Sequence, residues 1–184
     1  MSPRCLVALP LLAALTLDPV TPVTAQSLVD QPPRDCRVRT TDRRLVAAVD
    51  RGLRDSPTFR ALVNRINASD VVVYVNADWE TMLPPGLDGR LTFLSATGGF
   101  RYVVVRVNTK LSTPRLVSLL GHELQHAREI ADSDAIVDSI SLAREYGVRL
   151  GYRNRNTTRE YQTFDSEAAI RTGEQVLREL LTGG

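Results

Sequence analysis

His122 and His126 stand four residues apart and are the only histidines in the chain. On an α-helix that spacing puts both side chains on one face, one turn apart, so two imidazole nitrogens can reach a single ion. Glu123 follows the first histidine by one step, about 100° round the helix, which sets it beside a bound ion rather than on it. A carboxylate there can take a proton from a water activated by the ion. Two imidazoles leave such a site incomplete, because a catalytic zinc ion takes three protein ligands and keeps one position open. A third ligand must come from downstream.

Three geometries compete for it. A ferritin-like pair of ions requires a second Glu-x-x-His motif and an all-helical chain, but no other histidine exists and strands are expected. A ligand six residues past His126 would be Asp132, yet that arrangement also carries a glycine where this chain has Glu129, and a methionine turn, and no methionine follows Met82. Asp132 serves better as a helix cap. The remaining geometry takes a carboxylate from a later helix, and the last amphipathic segment offers Asp165 and Glu167 in its expected first turn. With Ala169, Gly173, Val176, Leu177 and Leu180 on the buried side, Asp165 lies about 80° from the middle of that side and Glu167 about 120° away on the other. Asp165 is preferred, with Glu167, of longer reach, as the alternative and Asp132 behind both. Asp165 and Glu167 also complement the positive end of the helix.

The elements that position these residues follow from periodicity and caps. Thr41-Asp42 caps a helix through Leu45, Val46, Val49 and Leu53, and Ser56-Pro57 starts a second through Phe59, Leu62, Val63 and Ile66. The run Val71 to Val75 reads as a central strand buried on both faces, and Asn76 to Arg90 as loop. Leu91 to Ser95 and Arg101 to Asn108 read as strands joined by the hairpin signal Ala96-Thr97-Gly98-Gly99. Thr113-Pro114 opens the histidine-bearing helix. Asp132 or Ser133 caps a helix through Ile136, Ile140, Leu142 and Ala143 that stops at Gly147, and the polar stretch Arg149 to Thr163 is a long loop. The fold class is therefore α+β: a small mixed or antiparallel sheet of three to four strands, packed against N-terminal helices and the histidine helix, with two further helices after it.

At 184 residues, 43% hydrophobic and 24% charged, the chain suits one globular domain, here 41–184. Arg4, the apolar run Cys5 to Leu17 and the small residues Val23-Thr24-Ala25 read as an export signal cleaved after Ala25. That run is too short for the roughly 20 residues of a membrane span. Residues 26–40, with Pro32-Pro33, read as a flexible arm. Cleavage leaves Cys36 as the only cysteine, so no intrachain disulfide is expected. The net charge is +2 and the basic residues are interspersed with acids, so nothing argues for nucleic acid; that they are nearly all arginine, with Lys110 the only lysine, reads as coding bias. The expected location is secreted or periplasmic, in a bacterium.

The segment His122-Glu123-Leu124-Gln125-His126 resembles the His-Glu-x-x-His motif of the zincin metallopeptidases, and the layout from about residue 70 to 180 is similar to a minimal gluzincin. Phe164-Asp165-Ser166 with Ala168-Ala169 resembles the ligand segment of those proteins, with aspartate where they carry glutamate. The resemblance implies one Zn²⁺ on His122, His126 and a carboxylate near 165, and peptide hydrolysis with Glu123 as general base acting on metal-bound water. The substrate would be a peptide or protein, with Tyr152, Tyr161 or Arg155 as oxyanion donor and the strand 101–108 running along the cleft. The alternative is a non-catalytic zincin-like module that holds zinc and binds a peptide or protein partner. A structural zinc site would need a fourth ligand that only both acids together could supply.

Overall fold

Four strands form one mixed sheet, and the helices stack on one of its faces. The computed structural model describes residues 36–78, 83, 86–150, 152–153 and 164–182, all within one compact unit, Pro32–Gly184. The expected export signal, and the expected arm as far as residue 35, lie outside the described residues. The sheet contains β1 (Val38–Arg39), β2 (Val71–Ala77), β3 (Gly89–Thr97) and β4 (Phe100–Val107) in the order β1-β2-β4-β3. β1, β2 and β4 run parallel, and β3 pairs antiparallel with β4. It is an open sheet with β3 at one edge.

Alternation within the strands decides which face is buried. Val71, Val73, Val75, Val103, Val105, Val107 and Phe93 point to one side and join the core. α1 (Arg43–Asp55) and α2 (Pro57–Asn67) supply Leu45, Phe59, Leu62 and Ile66 to the same core, each worth roughly 1.5–3 kcal/mol on burial. Asp42 caps α1 by accepting from Arg44 and Leu45 N–H, and Ser56 caps α2 by accepting from Phe59 N–H. The hairpin between β3 and β4 turns on Gly98 and Gly99, whose φ values of 59° and 78° suit residues without a Cβ.

α3 (Thr113–Ala131) carries the histidines and buries Leu116, Val117, Leu120, Leu124, Ala127 and Ile130. Its far end is fixed by Arg101 on β4, which is 7% exposed. That guanidinium forks onto Asp70 at 2.7 Å and donates to the carbonyls of Ile130, Ser133 and Ile136 at 2.7, 2.6 and 3.1 Å. A buried cation thus neutralises the carbonyl end of α3. α4 (Ser139–Glu145), a π-helical turn (Tyr146–Leu150), the short pair β5 (Tyr152–Arg153) and β6 (Phe164–Asp165), and α5 (Glu167–Thr182) follow.

Several expectations need correction. Val38 and Arg39, read as part of the arm, form β1 beside Val73 and Tyr74. Tyr74 is 36% exposed, so β2 is not closed on both faces. Strand residues Asn76, Ala77, Gly89 and Arg90 lie in what was read as loop. The N-cap of α3 is Ser112. α4 starts at Ser139 with Asp138, not Asp132 or Ser133, as its cap, because Asp138 and Ser141 close a reciprocal capping box. Ile136 is buried ahead of that helix and Ile140 is 70% exposed. The stretch read as loop from Arg149 includes the end of the π-turn and β5. Cys36 is a free thiol donating to the Val38 carbonyl at 3.1 Å. No helix among the described residues is long and apolar enough to cross a membrane.

Candidate metal centre

α3 and α5 meet where both can come close. A Cβ on Gly173 would lie 3.2 Å from both the His122 Cβ and the Ser118 carbonyl oxygen, so glycine lets α5 pass beside the first histidine. Ser118 ties the crossing by donating to the Gly173 carbonyl at 2.9 Å. α5 is capped by Ser166, whose Oγ accepts from Ala169 N–H at 3.0 Å. The residue before this cap is Asp165, which is therefore held at the start of α5 over the exposed edge of α3.

Three side chains converge. His122 Nε2 is 3.5 Å and His126 Nε2 3.6 Å from Asp165 Oδ1, and the three donor atoms all lie within 4.8 Å of one another. Two nitrogens and an oxygen at zinc bonding distances of roughly 2.0–2.2 Å in a tetrahedron stand about 3.3–3.5 Å apart. The cluster fits that spacing with small movements. His122, His126 and Asp165 can hold a metal ion, and all three line a cleft of about 300 Å³.

His126 is oriented from behind. His126 Nδ1 is 3.0 Å from Glu129 Oε2 and 2.8 Å from the Tyr146 hydroxyl, and Tyr146 in turn donates to Glu129. Ser166 Oγ donates to the other Glu129 oxygen at 2.6 Å. With acceptors at Nδ1, that nitrogen carries the proton, and Nε2 is left for an ion. The π-turn after α4 brings Tyr146 into the network, 4% exposed.

The charges are strongly shifted. Burial and the nearby His126 charge push His122 down to about 4, although Asp165 and Glu129 oppose them. Burial would lower His126 as well, but hydrogen bonds to Asp165 and Glu129 and the charges of Glu123 and Glu129 outweigh it and hold the ring at about 10. Burial raises Glu123 to about 7, against the His126 charge and the Leu91 backbone hydrogen bond, which lower it. Asp165 and Glu129 lie below the usual carboxylate range, because hydrogen bonds and charge from the histidines overcome the cost of burial. Burial and the Glu129 charge push the Tyr146 hydroxyl up.

Glu123 is 4% exposed and sits against β3. A Cβ on Gly89 would fall 2.6 Å from its Oε1, so that glycine makes the space for the carboxylate. The cleft beside it is walled by Leu91 and Phe93 of β3, Leu142 and Ala143 of α4, and Phe164 of β6. Apolar walls around a metal site are those of a ligand pocket.

Compared with protein-family models, with curated proteins and with solved structures, the chain matches none.

His122, Glu123, His126 and Asp165 come together. Asp165 does so from β6, not from the first turn of the last helix, because the bridge from Tyr152 to Asp165 holds it in extended chain and Ser166 takes the cap. Glu167 is the first residue of α5; its side chain is 74% exposed and pairs with Arg171 at 2.8 Å. Asp132 ends α3 and binds Arg65 and Arg128, outside the metal cluster. β4 does not border the cleft, since it lies between β2 and β3; β3 is the bordering edge. Tyr161 and Arg155 lie outside the described residues, as does the side chain of Tyr152, whose backbone forms β5. Glu129, Tyr146 and Ser166 were not anticipated as part of the site. For Glu129 a signal existed: a carboxylate three residues past His126 shares its helix face.

Proposed function

We propose that the chain is an exported zinc-dependent metallohydrolase, a zincin-like peptidase with Glu123 as general base. The observation that carries the reading is the placement of Glu123, a buried carboxylate beside the three-donor cluster, lining an apolar cleft next to β3, the edge strand of the sheet among the described residues. A purely structural metal site has no use for it. Two imidazoles and one carboxylate with an open fourth position suit catalytic zinc.

When bound, Zn²⁺ supplies Lewis acidity, polarising a carbonyl and bringing the pKa of water to about 7. The protein's own groups do the rest. An extended peptide pairs with the outer edge of β3, which sets its carbonyl near His122 and His126. Glu123 accepts a proton from the attacking water as its oxygen bonds to the carbonyl carbon, and returns that proton to the amine as the C–N bond breaks. Glu129 and Tyr146 hold His126 in the tautomer that keeps Nε2 for the ion. Tyr152 or Tyr161 is the candidate donor to the oxyanion.

The test is hydrolysis of a quenched fluorescent peptide library by zinc-loaded protein, with Glu123→Gln as control. Cleavage abolished by a chelator and reduced at least about 10²-fold in the variant supports the peptidase. Stoichiometric zinc with no peptide cleaved would leave a zinc-holding module that binds its partner without cutting it.

A further inference from the structure

Arg90 and Arg106 face each other directly across β3 and β4. Like charges opposite one another in a sheet repel, and among the described residues neither arginine is joined to a carboxylate. Their side chains lie on the face of the sheet away from the helices, since Leu91 and Val105 beside them face the core. By the same alternation Arg39, Val72, Tyr74, Tyr102, Val104 and Thr92 share that face, and no Asp or Glu occupies a position on it in any of the four strands. A one-signed patch results in a chain of net charge only +2. Arg90 also lines the cleft at the metal centre.

The ladder places this pair relative to a bound peptide. Asn108 N–H donates to the Asp88 carbonyl at 2.7 Å, so Asp88, Arg90 and Thr92 direct their backbone groups to β4, and Gly89, Leu91 and Phe93 direct theirs out of the sheet. A strand added at the edge continues the pleat. Its residues opposite Gly89 and Leu91 face the metal centre, and the residue opposite Arg90, one step along, shares the arginines' face, roughly 5 Å from Arg90 and, one strand further in, roughly 10 Å from Arg106, within reach of that long side chain.

We infer that Arg90 and Arg106 form a subsite for an acidic side chain, which selects peptides carrying Asp or Glu at the residue opposite Arg90. This rests on the peptidase reading for its cleavage arm only. Four quenched peptides differing at that single residue, Glu, Asp, Gln or Lys, are compared on zinc-loaded wild type, Arg90→Gln, Arg106→Gln and Arg90→Glu. The expected wild-type ratio of kcat/KM for Glu over Lys is about tenfold or more. It falls towards one in the two glutamine variants and inverts in Arg90→Glu, while zinc content stays at one per chain. A wild-type ratio of one, or a ratio the variants leave unchanged, overturns the subsite. Anisotropy of the same peptides, labelled, on zinc-loaded Glu123→Gln reads binding without cleavage. Tighter binding of the Glu peptide, lost in Glu123→Gln/Arg90→Glu, supports the subsite even if nothing is cleaved, which would sink the peptidase alone. Equal binding of Glu and Lys peptides overturns it.

Discussion

Glu129→Gln preserves volume and removes one charge from behind His126. The carboxylate now receives His126 Nδ1, Tyr146 OH and Ser166 Oγ, with Gln125 Nε2 more distant at 3.4 Å. An amide has one acceptor oxygen and a donor NH₂, so one of these three donors must face a donor. If the ring keeps its acceptor, the loss is that of a charge-assisted bond; if not, His126 turns or changes tautomer. Removing such a partner typically weakens metal binding about 10–100-fold, or about 1.4–2.7 kcal/mol. The assay is zinc competition against a chelator of known affinity at pH 7, with the unfolding midpoint measured alongside. Tyr146→Phe leaves the contact between Glu129 and His126 and should weaken zinc less. An affinity within about twofold of wild type in correctly folded Glu129→Gln would refute the claim that this carboxylate orients the ligand.

Zinc binding should release between one and about one and a half protons at pH 7, one from His126 and up to half from Glu123, whose carboxyl is raised to about 7. His126, held at about 10 in the ion-free pocket, must lose its proton to bind through Nε2, whereas His122 at about 4 is already neutral; affinity should therefore rise with pH up to that value, and calorimetry in buffers of different ionisation enthalpy counts the protons. Gly89→Ala forces the Glu123 carboxylate aside, because the new Cβ would lie 2.6 Å from Oε1, so peptide cleavage should fall while zinc affinity stays within about threefold. Glu179 accepts from Ser56, Thr58 and Gln175, and these bonds hold its carboxyl low against the cost of burial. Its stabilisation is complete above the unfolded value of about 4.3 and is lost as pH falls through the folded value; in Glu179→Gln, acid melting curves should show a shallower loss of stability below pH 5.

The helices were legible where the code is local. Asp42 and Ser56 cap as expected, and the histidine spacing placed two ligands on one face. Glycines at positive φ marked the hairpin. What stayed hidden depends on pairing across the chain. β1 spans two residues and exists only because β2 lies beside it, so no periodicity announces it. Asp165 was singled out from helical phase, yet it is presented by extended chain, fixed by Tyr152 and by the competing cap at Ser166. The arginines look interspersed with acids along the chain, but the two-residue period of the strands sorts Arg39, Arg90 and Arg106 onto one face. Glu129 was read only as the absence of a glycine; its role needs Tyr146, seventeen residues on, to be folded back against it.

The most direct measurement is zinc titration of three proteins in parallel: wild type, Asp165→Ala and Glu167→Ala. Wild type should bind one zinc per chain, Asp165→Ala should bind it more than about 100-fold more weakly, and Glu167→Ala should match wild type. Equal affinities in all three, or a loss confined to Glu167→Ala, would contradict the three-donor centre of His122, His126 and Asp165.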